Sequence, residues 1–186
     1  LELSNSPSYA LLAIRKIYGK GIVGISGIYA RSHFEVNNSS HDSYSGNVFY
    51  EQTLGRISLR SEFYFSQNLA NLGALSIGKG TATDNVKEHG GFLSASFKMT
   101  EKSAVTAGIG FASVDNDKSV TPFTSGASAS TGILSNTVVR LGYEYMVTAD
   151  LSVLCELSRY ETEIKLASKN DMYIAHQVDT GILLRF

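Results

Sequence analysis

The 186-residue sequence contains one cysteine, two prolines and no tryptophan. A lone cysteine, Cys155, excludes an internal disulfide, and its place in an apolar alternation makes it a small hydrophobe rather than a nucleophile. Proline supplies no N–H to a β-ladder, so its near absence leaves room for long unbroken strands. A formal net charge of −1 provides no electrostatic footprint for nucleic acid. The longest apolar runs, such as Tyr9–Ile14, fall far short of the roughly 18 residues a membrane-spanning helix needs. His33, His41, His89 and His176 are scattered without metal-ligand spacing. No GxSxG, P-loop or dinucleotide-binding pattern occurs. Asp115-Asn-Asp117 opens like a calcium loop, but Lys118-Ser-Val-Thr121 follows, without the Gly and Glu such a loop requires. The expectation is a protein without enzymatic activity, cofactor or bound metal.

What is present is alternation. Hydrophobic residues make up 43% of the chain, yet mean hydropathy is near zero. In Met172–Phe186 every second residue (Phe186, Leu184, Ile182, Thr180, Val178, His176, Ile174, Met172) belongs to a mostly apolar set, and the intervening set is polar or small. Period two means a strand with two unlike faces. Its length exceeds the about 5–6 residues usual for soluble strands and meets the about 9–11 needed to cross a bilayer at a tilt. The same pattern predicts strands over Ser8–Ile17, Ile22–Phe34, Ser43–Thr53, Arg56–Ser66, Gly90–Met99, Ala104–Ser113, Asn136–Met146 and Leu151–Glu163. Pro7 and Pro122 fall outside all of them.

Short connections (Tyr18–Gly21, Leu54-Gly55, Thr100–Ser103, Val147–Asp150) alternate with longer ones (Glu35–Asp42, Gln67–His89, Val114–Ser135, Ile164–Asn170). Short turns at one end and long loops at the other are the connectivity of a transmembrane up-and-down β-barrel. The expected fold is therefore all-β and antiparallel, one barrel domain over residues 1–186. Nine strands is an odd number, whereas bacterial barrels normally close with an even one, and open edges in lipid cost several kcal/mol per unsatisfied group. The chain is expected to be the C-terminal part of a larger barrel. With 16 strands in total, these would be strands 8 to 16.

Three stretches carry a family resemblance. LRSEFYFSQNLANLGAL (Leu59–Leu75) resembles a recurring segment of trimeric 16-stranded porins of the dicarboxylate-uptake type, with Ser61 and Ser66 where that family commonly has glycine. KMTEKSAVTAGIG (Lys98–Gly110) resembles a hairpin of the same proteins, and VTADLSVLCELSRYETE (Val147–Glu163) their penultimate strand. With the terminal aromatic residue, the matches cover the last two thirds of the chain. The resemblance implies an integral protein of the bacterial outer membrane, embedded in its lipid, with the C-terminus periplasmic. It implies a homotrimer, passive diffusion of small hydrophilic solutes through a water-filled lumen, and a terminal Phe186 read by the barrel-assembly machinery. The alternative is a narrow barrel acting as anchor or adhesin through its long loops.

The residues expected to line the lumen are the charges opposite the apolar faces: Arg56, Arg60, Glu62, Lys98, Arg140, Glu144, Glu156, Asp179 and Arg185. An Arg or Lys facing lipid near the midplane costs about 2–4 kcal/mol. Opposite charges on neighbouring strands would set up a transverse field across a pore; in a narrow barrel they would pair and fill it. Phe97, Tyr143, Tyr145 and Phe186 are expected in the aromatic girdle at the turn end. His176 and Arg159 lie on the apolar parity. His176 is expected at the outer interface. Arg159 would snorkel, face a neighbouring subunit, or mark a bulge that reverses the faces beyond it.

Overall fold

A computed structural model describes residues 8–18, 21–34, 39–68, 85–116, 120, 122 and 132–184. Every regular element among them is a strand: β1 Ser8–Tyr18, β2 Gly21–Phe34, β3 Ser39–Leu54, β4 Ile57–Gln67, β5 Lys87–Lys98, β6 Ser103–Val114, β7 Ile133–Met146, β8 Leu151–Lys165 and β9 Asn170–Leu184. They form one antiparallel sheet in chain order, with β1 and β9 at its edges. The expected all-β up-and-down sheet is borne out. Several strands run further at the loop end than the alternation suggested: β3 starts at Ser39, β5 at Lys87 and β7 at Ile133, and β8 reaches Lys165. In β3 and β5 both faces are polar there, and in β7 and β8 Ile133-Leu134 and Ile164 break the alternation, so the period-two signal fades while the backbone ladder continues. At the turn end, the β3–β4 hairpin places Gly55 at φ +60, a left-handed conformation that glycine adopts without steric cost. The expected turn at residues 19–20 and most of the two longest loops lie outside the described residues.

Register partners in an antiparallel pair share a face. Ile57, Phe97, Val105, Tyr143, Cys155 and Thr180 form one continuous row across β4 to β9. Leu59, Ala95, Ala107, Leu141, Leu157 and Val178 form the next. The rows between them, on the other face, are polar or small. Burial is inverted relative to a water-soluble sheet. Phe65 is 54% exposed, whereas its chain neighbour Ser66 is 3% exposed. Side chains on the concave side of a curved sheet converge and shield one another; those on the convex side splay apart. The polar face is therefore the concave one. The convex face carries apolar exposure on every strand from β2 to β9, far beyond the few hundred Å² usual for a water-soluble surface.

The convex apolar surface is an oblique belt. Its uppermost large member, towards the loop end, is Phe65 on β4, Phe111 on β6, Val139 on β7 and Leu157 on β8. The row of Phe65 reaches β8 at Glu163, so the boundary has dropped by the six residues from Glu163 to Leu157. At about 3.3 Å per residue and about 4.8 Å between strands, that is a fall of about 20 Å over about 19 Å. The lower edge descends in the same sense, from Val23 on β2 to Leu184 on β9. Such a belt is level only if the strands tilt by about 45° to its normal, close to the 35–45° tilt of membrane barrels.

The slope explains Arg159. The β8–β9 register is unbroken from Leu151 to Lys165, which rules out a face-reversing bulge. Arg159 does point to the convex side, immediately above the belt, where it is ion-paired with Glu161. The only register shift in the described pairings lies between Ile133 and Ser135 in β7. There Leu134 is buried with Val86 and Val120, and Val114 packs against them. β9 departs from the slope at its loop end, where Ile174 and Met172 remain apolar above His176.

Candidate functional site: the charged concave face

The concave face is built in rows that succeed one another from the turn end upward. At the bottom the Lys98 N–H donates to the Arg56 carbonyl at 2.8 Å, and Ala104 separates Lys98 from Glu144. These residues, with Glu101 and Lys102, surround a hollow of about 250 Å³. Above lies the row Ser58, Ser96, Thr106, Gly142, Glu156 and Asp179. Next come Glu51, Arg60, Ser94, Gly108, Arg140, Ser158 and Gln177. One row higher, Glu62, Phe92, Gly110 and Val138 help line a second hollow of about 330 Å³. Eight of the nine charges singled out from sequence thus share one face; Arg185 lies outside the described residues, as does Phe186. Phe97, Tyr143 and Tyr145 are exposed on the convex face near the turn end, where a girdle was expected.

Polar partners hold most of these charges. Arg60 Nε faces Glu51 Oε1 at 3.7 Å. The Asn47 amide donates to Glu62 Oε1 at 2.8 Å. Glu156 and Asp179 oppose each other directly across β8 and β9, an arrangement that like charges disfavour. Each carboxylate has a donor on its own strand: the Ser158 hydroxyl donates to Glu156 at 3.0 Å and the Gln177 amide to Asp179 at 2.8 Å.

Glycines seat the larger side chains. Arg140 is the register partner of Gly108, and a methyl group added at Gly108 would meet Arg140 Nε at 3.1 Å and Cγ at 3.4 Å. Glu156 is the partner of Gly142, and its Oε2 lies 3.8 Å from the place a Gly142 side chain would take. Tyr64 lies over its partner Gly90, with Cε1 2.7 Å from the corresponding point. Phe49 similarly covers Gly24, its partner. The large residues thus lie along the wall over a neighbouring strand, and the concavity stays open. These glycine seats, and the contribution of Glu51, were not foreseen. The parity of Glu51 was visible in sequence; the seats need a register, which alternation alone does not supply.

No protein-family model matches the sequence, and no curated protein matches it. Solved structures do. The outer membrane channel DcaP of Acinetobacter baumannii aligns with a TM-score of 0.77 at 10% identity, over 96% of this chain and 51% of that one. The anion-selective porin from Comamonas acidovorans aligns with a TM-score of 0.61 at 11% identity, over 95% of this chain and 47% of that one. The chain spans about half the length of the structures it matches. At such identities the likeness is one of fold. The sheet has the same fold as about half of each of those two barrel chains, and the resemblance expected from sequence is borne out at that level.

Proposed function

We propose that the chain forms part of the wall of an outer-membrane porin, through which small hydrophilic solutes diffuse passively. The observation that carries this reading is the inverted sheet. A level apolar belt follows from a 45° strand tilt on one face, and a charged, glycine-hollowed concavity occupies the other. The belt sits in lipid and the concave face lines water. The two edge strands then pair with further strands of a larger barrel, leaving no backbone edge in the hydrocarbon. The turn end and the C-terminus face the periplasm, and the long connections face outward. Homotrimeric assembly and recognition of Phe186 by the barrel-assembly machinery belong to this reading through the sequence resemblance. No turnover or cofactor is involved.

The test is conductance. Full-length protein, folded into phospholipid and inserted into a planar bilayer, is expected to produce stepwise channels whose conductance rises in proportion to salt concentration. A folded barrel that yields no channels would refute diffusion and leave an anchor or adhesin.

A further inference from the structure

We propose that the hollow beside Phe92 on the concave face binds small organic ammonium ions with an apolar or aromatic body, a solute class that rests on the pore reading above. At about 330 Å³ the hollow lies at the small end of the range usual for small-molecule sites. Its walls are apolar. Side chains on the concave side shield one another, yet Phe92 is 37% exposed there. The register partner of Phe92 on β6 is Gly110. Val138 reaches over that glycine from β7, its Cγ1 3.1 Å from the point a Gly110 methyl would take, and Phe92 Cβ stands 3.7 Å from the same point. Phe92 and Val138 thus flank a glycine floor. Tyr64, laid over Gly90, bounds the hollow towards the loop end. An apolar face turned to water gains free energy when an apolar body covers it.

The charge of the hollow selects the ion. Among the described residues Glu62 alone lines it with a charged side chain. Glu62 Oε1 accepts from the Asn47 amide at 2.8 Å, a neutral donor, and no described cation lies within ion-pair distance of Glu62. Arg60 and Arg140 belong to the next row, on the turn side of Phe92 and Val138, and neither lines the hollow. Arg60 faces Glu51 instead. A carboxylate beside two aromatic faces recognises an ammonium group by charge and by cation–π attraction together. On the far side the Thr162 hydroxyl donates to Asn136 Oδ1 at 3.1 Å, which leaves the Asn136 N–H groups to meet a hydroxyl or carbonyl on the solute. The hollow therefore combines a ring-sized apolar bed with one negative end.

The experiment measures block of the potassium chloride current through full-length channels in a planar bilayer. Three probes are compared: phenethylammonium, ethylammonium (the same charge without the ring) and phenylacetate (the ring with the opposite charge). Phenethylammonium is expected to reach half-block at a concentration about tenfold below that of ethylammonium, and below that of phenylacetate. Phe92→Ser is expected to raise the half-blocking concentration of phenethylammonium about three- to tenfold and to leave ethylammonium nearly unchanged. Glu62→Gln is expected to weaken block by both cations. Equal potency of phenethylammonium and either control, or unchanged phenethylammonium block in Phe92→Ser or Glu62→Gln, would overturn the proposal. If Phe92→Ser fails to fold, Phe92→Leu keeps the apolar bulk, removes the ring and is read by the same criterion. Wild-type protein without channels would sink the pore reading itself; channels that phenethylammonium does not block would sink only this inference.

Discussion

Ile109 and Arg159 lie on the same face and in the same register row, two strands apart. One belongs to an exposed apolar belt; the other is an ion-paired cation. Phe65 and Glu163 repeat the contrast four strands apart. Position along a strand therefore does not decide what a convex residue must be. Height does, and in a tilted sheet height falls along every row. A charge that looks misplaced by parity is correctly placed once the tilt is included.

The contrast can be broken by exchange. Ile109→Arg is expected to cost about 2–4 kcal/mol, because it puts a cation near the middle of the belt. The converse change, Arg159→Ile in the same row, is expected to alter stability by about 1 kcal/mol or less, since this exposed pair lies above the belt. Urea titration of protein folded into phospholipid vesicles measures both; equal costs would mean that the belt is not oblique.

The concave face offers a second contrast, between filled and empty glycine sites. A methyl group at Gly90 would stand 2.6 Å from the Phe111 carbonyl oxygen and 2.7 Å from Tyr64. Gly90→Ala should therefore destabilise by about 1–3 kcal/mol, the usual penalty for overpacking. Nothing lies within 4 Å of the corresponding point at Gly181, so Gly181→Ala is expected to be neutral or to stabilise by about 0.4–1 kcal/mol. The smallest effect concerns the opposed carboxylates. Asp179→Asn removes a like-charge pairing with Glu156 and should stabilise by about 0.2–1 kcal/mol, less at high salt. A loss of stability would show that the Gln177 bond matters more than the repulsion.

Strand order, strand faces and the shared face of the charges were legible in the sequence, because each depends on period-two alternation. Arg159 was not legible. Its placement depends on the lateral register of β4 to β8, and sequence parity describes one strand at a time. That Gly108 and Gly142 seat Arg140 and Glu156 was not legible either, for the same reason. The loop-end extensions of β3, β5 and β7 were missed because Ser39–Asp42, Lys87–His89 and Ile133–Ser135 do not alternate cleanly, although their backbones still pair.

The most direct test sets the two faces against each other in one assay. In a Cys155→Ala background, single cysteines replace Ser94 on the concave face and Ile109 in the belt. A charged, water-soluble thiol reagent is then added to open channels. The prediction is a stepwise change in conductance for the Ser94→Cys channel and no reaction at Ile109→Cys. Reaction at Ile109→Cys, or modification at Ser94→Cys that leaves the current unchanged, would contradict a wall with lipid on one side and the conducting path on the other.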